Sequence, residues 1–173
     1  MTWYQYKNYG TTLQALAMMN AVRSCGYIPE GINYISEGYD RQTTLEKLCS
    51  LRKIRNGIKH VWQSKMYKKY IDKVKLERYN LFLAENIPLG KSAQTASQLF
   101  NLNKEYAAFI CGSDQIWTPE EYNSKYYLDF VLDSQKKIAY APSLAHASFE
   151  DKILNEMCGY IEKFDAISVR EES

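Results

Sequence analysis

Short apolar runs alternate with stretches of helical periodicity along this chain of 173 residues. The apolar runs predict strands at 31–35, 107–111, near 126–131, 137–141 and 166–170. The 3.6-residue spacing of apolar positions predicts helices at 11–25, 42–56, 60–84, 93–101 and 148–164. Strands that alternate with helices in this way predict an α/β fold, with a parallel sheet and helices on both faces.

Turn and capping residues mark the boundaries of several predicted elements. Thr11 or Thr12 is expected to cap the first helix, and Gly26 to end it. Ser148 is expected to cap the last helix. Pro142 ends the strand at 137–141, since proline lacks the amide that would continue a ladder.

The composition is that of a globular protein of one domain, with 46% hydrophobic and 24% charged residues. Fifteen tyrosines exceed what a core of this size needs. Tyrosine suits sugars and other polar rings because it offers an apolar ring and a hydroxyl, although for any one tyrosine a compositional bias is the better explanation. No apolar stretch reaches membrane-spanning length and no signal peptide is visible, so a cytoplasmic location is expected.

The four cysteines, at positions 25, 49, 111 and 158, show no CxxC spacing. Their apolar or helical contexts predict buried free thiols in a reducing compartment. Together with two histidines they form no metal-site pattern, so no metal and no cofactor are expected.

Positive charge is concentrated in one helical region. Residues 51–78 carry ten Lys or Arg against two acidic residues, a local balance of +8 in a chain whose net charge is +2. Such a basic helix can face an anionic membrane surface, which makes a peripheral contact with the inner face of the membrane one hypothesis. A solvated helix face is the simpler explanation, and no nucleic-acid motif accompanies the charge.

The stretch AAFICGSDQIWTP, residues 107–119, holds the principal catalytic candidate. Ligands of open parallel sheets bind beyond the carboxyl ends of the strands, which is where Ser113, Asp114 and Gln115 follow a predicted strand. Asp114 could accept a proton from an attacking hydroxyl while Gln115 orients the acceptor. Alternatively, Asp114 is a turn or capping residue.

Three other loops occupy equivalent positions in the predicted fold. Asn8, Tyr9 and Gly10 open the first helix, whose free amides favour an anion or a sugar hydroxyl, although a capping turn is equally plausible. Ser143 follows Pro142 and either binds a ligand or caps. Arg170 follows the last strand and matches the oxygens of phosphate or carboxylate, unless it pairs with a neighbouring glutamate.

His146 is a further proton-donor candidate in the loop after the strand at 137–141. A loop histidine without an identified partner is more often without function.

Four blocks in this sequence resemble the polysaccharide pyruvyl transferase family. They are NYGTTLQA at 8–15, FICGSDQIW at 109–117, KIAYAPS at 137–143 and FDAISVREES at 164–173. The blocks occur in the family's order over nearly the whole chain. Together they form a specific signal, whereas each alone would be weak.

The resemblance implies a Rossmann-like domain at 1–173, with a basic helical insertion at about 42–86, like the N-terminal half of a two-domain GT-B fold. It implies transfer of pyruvyl from phosphoenolpyruvate to two hydroxyls of a sugar or lipid-linked oligosaccharide in surface polysaccharide biosynthesis. Asp114 would be the catalytic base, and Asn8, Tyr9, Gly10, Ser113, Gln115, Ser143 and Arg170 would bind substrate.

The resemblance also implies a second half that this sequence does not contain, and a first strand that is missing or replaced by residues 2–7. The expectation is therefore a fragment that is inactive alone and needs a partner chain, with the general acid supplied by the second half or by His146. A GT-B glycosyltransferase half and an inactive partner-binding half are the alternatives.

Overall fold

The computed structural model describes residues 1–4, 8–34, 58–119, 122–145 and 151–170, with no side chains described at 58–71 and 151–153. The strands within these ranges are Gly31–Asn33 (β1), Leu89–Ser92 (β2), Ala108–Gly112 (β3), Lys136–Tyr140 (β4) and Ala166–Ser168 (β5). The α-helices are Tyr9–Ser24 (α1), Ile58–Asn86 (α2), Ala96–Asn101 (α3) and Asp151–Ile161 (α4).

Every strand pair in the described residues is parallel, which confirms the predicted α/β class and is compatible with a Rossmann-like domain. β1 pairs with β2, and β3, β4 and β5 form a second sheet in that order. On the free side of β3, the amino group of Met1 donates to the carbonyl of Ile110, and Gly112 donates to the carbonyl of Met1 at 3.1 Å. The N-terminal segment therefore runs parallel to β3, on the side away from β4.

The main core lies on one face of the three-stranded sheet. Phe109 and Cys111 of β3 and Ala139 of β4 are buried there with Met157 of α4. Burial raises the pKa of the Cys111 thiol to about 12, as expected for an inert core thiol. A smaller core forms around α1 from Tyr4, Ala15, Met19 and Ile87.

Helix boundaries differ from the predictions where side chains offered competing caps. Asn8, rather than Thr11 or Thr12, caps α1, because its Oδ1 accepts the amide of Gly10 at 2.8 Å. Thr11 instead donates its hydroxyl to the carbonyl of Asn8. Gly26 has a φ of +86° after the helix, as its predicted role as the stop requires.

The strand predicted near 126–131 is wrong. Residues Ser124–Tyr127 form a short 3-10 helix, and Leu128 follows it with a φ of +57°, which no strand accommodates. β2 was not predicted, because its four residues include glycine, lysine and serine and show no apolar alternation. The predicted helix at 42–56 and the predicted cap Ser148 lie outside the described residues.

Two of the four cysteines contradict the prediction of burial. Cys25 is exposed because it ends α1 in a surface turn, and Cys158 is exposed on the solvent side of α4, next to the buried Met157. The described cysteines, Cys25, Cys111 and Cys158, are free thiols, and Cys49 lies outside the described residues.

Asp165 joins the start of β5 to the start of β4 at the amino edge of the sheet. Its carboxylate accepts Lys136 Nζ at 2.5 Å and the amide of Lys137 at 2.9 Å. The bond from Lys136, followed by the amide of Lys137, lowers the pKa of Asp165.

This lowered pKa predicts acid sensitivity of the fold. A carboxyl group with a lower pKa in the folded state stabilises the protein above its unfolded-state pKa of about 3.9, and this stabilisation is lost as pH falls through the folded value. The urea midpoint of the native chain should therefore fall more between pH 6 and pH 3 than that of Asp165→Asn. Glu85→Gln, which changes an exposed carboxylate on α2, is the control. Equal falls in the native chain and Asp165→Asn would contradict the prediction.

Candidate active site

The strand register brings three predicted site loops to one edge of the sheet. Gly112, Tyr140 and Ser168 are aligned in a row at the carboxyl ends of β3, β4 and β5. The chain continues from these residues into the loops that contain Asp114, Ser143 and Arg170 respectively. In an open parallel sheet this edge is where ligands bind.

Gly112 allows β3 to end in close contact with β4. Its φ is +118°, and a Cβ atom added to it would lie 2.0 Å from the carbonyl oxygen of Tyr140. Only glycine fits a backbone of this conformation so near another backbone. The GSD turn is therefore set by the sheet as well as by its own sequence.

Asp114 lies in this turn with 8% of its surface exposed. Its Oδ1 accepts the amide of Gln115 at 2.8 Å. Its Oδ2 is buried and has no hydrogen-bond partner within the described ranges. A buried carboxylate oxygen without a partner destabilises a protein, so a turn function explains Oδ1 and leaves Oδ2 unexplained.

Ser143 joins the β4 loop to the β3 loop through its backbone. Its amide donates to the carbonyl of Asp114 at 2.9 Å, and its carbonyl accepts the amide of Trp117 at 3.3 Å. Its buried Oγ accepts the amide of Ala145 at 3.2 Å. Ser143 thus fixes the backbone at Asp114, a positioning function that the sequence did not reveal.

The loop that holds Ser143 is bounded by two alanines in the left-handed region. Ala141 has a φ of +47° and Ala145 a φ of +62°. Such conformations are costly for residues other than glycine, by about 1 kcal/mol or more each, and occur more often at functional sites than elsewhere. The strain is consistent with a binding loop held by its neighbours.

The two neighbours of Asp114 differ in exposure. Ser113 is half-buried and Gln115 is exposed, so the side chain of Gln115 faces solvent beside the turn. The backbone amide of Gln115 is already used by Asp114.

Trp117 anchors the other end of the same loop in the core. Its ring stacks on Tyr127 with centroids 5.0 Å apart and an interplanar angle of 8°. Its Nε1 donates to the carbonyl of Tyr126 at 3.2 Å. The indole that follows the GSD turn in sequence is therefore a structural residue.

Asn8, Tyr9 and Gly10 form the turn at the start of α1. The Asn8 side chain is used as the helix cap, as the capping alternative proposed. Tyr9 is 51% exposed, and its ring meets Tyr79 of α2 edge-to-face at 5.4 Å. In the described part of the chain, no hydrogen bond joins these three residues to the loop of Asp114.

Tyr79 of α2 packs against this turn at the start of α1. Its hydroxyl donates to the carbonyl of Tyr4 and lies 2.8 Å from the hydroxyl of Thr12. This buried residue of α2 was not identified from the sequence, because the tyrosines of the long basic helix carry no distinguishing pattern.

Arg170 is exposed two residues beyond the end of β5. Within the described ranges it makes no ion pair with an acidic side chain. Glu171 and Glu172, the partners considered for it, and His146 all lie outside the described residues.

The described ranges contain no group of three His, Cys, Asp or Glu residues placed to hold a metal ion. They also contain no helix with the length and apolar character needed to cross a membrane.

The family model described as polysaccharide pyruvyl transferase matches residues 8–173. No curated protein and no solved structure matches the chain.

Proposed function

Because this chain belongs to the polysaccharide pyruvyl transferase family, we propose that it takes part in moving the pyruvyl unit of phosphoenolpyruvate onto two hydroxyls of a sugar. The acceptor is a sugar of a surface polysaccharide or of its lipid-linked precursor. The observation that carries this proposal is the buried Oδ2 of Asp114, which has no partner among the described residues and lies where ligands of parallel sheets bind.

The reaction defines what the site must do. One sugar hydroxyl adds to C2 of phosphoenolpyruvate while a proton adds to the methylene carbon, which becomes a methyl group. The second hydroxyl then attacks C2, the bond from C2 to the phosphate oxygen breaks, and inorganic phosphate leaves with the second proton lost to a base. The site needs a base near the hydroxyls and cations near the phosphate and carboxylate.

In this proposal Asp114 accepts the proton of an attacking hydroxyl through Oδ2, the oxygen that its turn does not use. Ser143 keeps the backbone of Asp114 in place through the bond to its carbonyl. Ser113 and Gln115 flank the base and bind the acceptor. Asn8, Tyr9 and Gly10 line the floor of the cleft.

Arg170 binds phosphoenolpyruvate in this proposal. It is exposed at the same sheet edge, and it makes no ion pair within the described residues that would compete for its guanidinium. The planar fork of arginine matches the oxygens of a phosphate or a carboxylate.

We further propose that a second half with the GT-B arrangement supplies the general acid, and that no metal or cofactor is needed. The reaction takes place in the cytoplasm, where phosphoenolpyruvate is available, with the basic region at about 42–86 facing the anionic inner surface of the membrane.

Arg170→Ala should weaken phosphoenolpyruvate binding about tenfold to a hundredfold, because a charge-assisted bidentate contact contributes roughly 1.5–3 kcal/mol. Binding is measured by isothermal titration calorimetry. Arg78→Ala, which removes an exposed arginine from α2, is the matched control and should bind normally. Equal affinity of Arg170→Ala and the native chain would remove Arg170 from the proposal.

The reaction itself is tested by incubating the protein with phosphoenolpyruvate and acceptor glycan, with a separately produced second half added in a parallel sample. Release of phosphate together with an acid-labile pyruvyl ketal on the glycan supports the proposal. Transfer from a nucleotide sugar, with phosphoenolpyruvate left unused, would contradict it and indicate a glycosyltransferase.

A further inference from the structure

Three half-buried aromatic rings meet beside the loop of Asp114. The ring of Tyr126 contacts Trp3 edge-to-face, with centroids 6.1 Å apart, and Tyr34 in the same manner at 6.4 Å. Asn123 donates from Nδ2 to the hydroxyl of Tyr34 at 3.2 Å. We call Trp3, Tyr34 and Tyr126 the ring cluster.

The ring cluster joins the N-terminal segment, the residue after β1 and the 3-10 helix at Ser124–Tyr127. Trp3 lies two residues after Met1, which bonds to β3 on the side away from β4. Tyr34 directly follows β1. The carbonyl of Tyr126 accepts the indole of Trp117, three residues after Asp114. The ring cluster is thus linked to the loop of Asp114 through Trp117 and through the N-terminal segment beside β3.

The N-terminal segment beside β3 holds another buried polar atom without a described partner. Thr2 precedes Trp3 and follows Met1, and its Oγ1 is buried with no hydrogen-bond partner in the described part of the chain. Asp114 Oδ2, in the loop after β3, is likewise buried and without a described hydrogen-bond partner. Buried polar groups in native proteins are nearly always paired. These two lie close in the fold, because Met1 bonds to Ile110 and Gly112 directly before the turn of Asp114.

The chemistry of this group suits a sugar ring. Aromatic rings pack against the C–H faces of a pyranose, a carboxylate accepts from a sugar hydroxyl, and a threonine hydroxyl either donates or accepts. A phosphate would fit poorly, since Asp114 Oδ2 is an acceptor and would repel it.

We propose that the ring cluster, Thr2 and Asp114 form the subsite for the acceptor sugar ring, a conclusion that rests on the function proposed above. The strand order then separates the two substrates. The sugar lies on the side of β3 where the N-terminal segment runs, and the phosphate lies toward β5, where Arg170 is found. Asp114, after β3, lies between them and faces the hydroxyl that attacks.

The subsite is tested by titrating the isotope-labelled protein with methyl glycosides of glucose, galactose and mannose, and separately with phosphoenolpyruvate. Nuclear magnetic resonance follows the indole N–H of Trp3, assigned with Trp3→Phe, and the amide of Gln115, which donates to Asp114. At least one glycoside should shift both signals, and phosphoenolpyruvate should shift Arg170 more than Trp3.

Variants separate binding from folding. Thr2→Val keeps the shape of the side chain and breaks no hydrogen bond described in the free protein, so the fold should be unaffected while glycoside affinity falls about threefold to tenfold. Tyr126→Leu should reduce glycoside affinity about tenfold and leave phosphoenolpyruvate affinity unchanged. Tyr27→Leu, at a tyrosine 68% exposed in the turn after α1, is the control and should change neither affinity.

The proposal is overturned if no glycoside binds at concentrations up to about 100 mM, if glycoside shifts are confined to Val169 and Arg170, or if Thr2→Val and Tyr126→Leu keep native glycoside affinity. Glycoside binding at the ring cluster without phosphoenolpyruvate binding would support the subsite and contradict the transferase proposal, so the two can fail separately.

Discussion

Asp114→Asn is expected to lower pyruvyl transfer about a hundredfold or more and to leave the free energy of unfolding unchanged or higher. The loss follows from removing a general base, which contributes roughly 10²–10⁴ in rate. Stability should not fall, because asparagine keeps the Oδ1 acceptor for Gln115 and replaces a buried carboxylate oxygen that has no described partner. Active-site residues that reduce stability are common in enzymes.

Asp129→Asn is the matched control for this experiment. Asp129 also has a buried carboxylate oxygen without a described partner, Oδ1, but its Oδ2 accepts the hydroxyl of Ser124 at 2.6 Å and Lys125 Nζ at 2.5 Å. Its replacement should lower the urea midpoint and leave turnover per folded molecule unchanged. If Asp114→Asn behaves like this control, Asp114 is a turn residue and not the base.

Gly112→Ala is expected to be the most destabilising of the proposed substitutions, with a loss of about 3 kcal/mol or more in the free energy of unfolding. The added methyl group would lie 2.0 Å from the carbonyl oxygen of Tyr140, and alanine would be held at a φ of +118°. Neither β3 nor β4 can move away without breaking the ladder between them. Urea denaturation of the native and variant chains measures the difference.

Gly159→Ala shows whether any loss at Gly112 is specific to its position. Gly159 lies in α4 with no atom within 4 Å of the position of an added Cβ. Alanine should therefore stabilise the protein by about 0.5–1 kcal/mol, because it favours the helix. Native stability of Gly112→Ala would show that β3 and β4 do not approach each other as closely as described.

The pattern of apolar residues is sufficient to predict the positions of the three strands of the larger sheet. β3, β4 and β5 were predicted to within about two residues, because each is a short apolar run bounded by turn residues. The strand predicted near 126–131 is wrong, since the apolar residues of this segment are buried from a 3-10 helix and turn and not from a strand. Composition alone does not distinguish these two forms of burial.

The candidate site was predicted as a set of loops, and the sequence could not say how they are joined. The alignment of Gly112, Tyr140 and Ser168 depends on strand order and register, which are set by long-range packing. The backbone bonds of Ser143 depend on two alanines with positive φ, which carry no sequence signal. The sequence likewise does not decide between a capping and a cleft-lining function for Asn8, whose side chain caps α1.

The regular spacing of the larger sheet bears on how the chain folds. Residue 108 pairs with 136 and residue 138 pairs with 166, a separation of 28 in each case. Closing the chain between β3 and β4 therefore costs nearly the same conformational entropy as closing it between β4 and β5. On this ground β4 has no preferred first partner. Both pairings are non-local and must form before the edge that carries Asp114 and Arg170 exists, so the candidate site is assembled late, with the completed sheet.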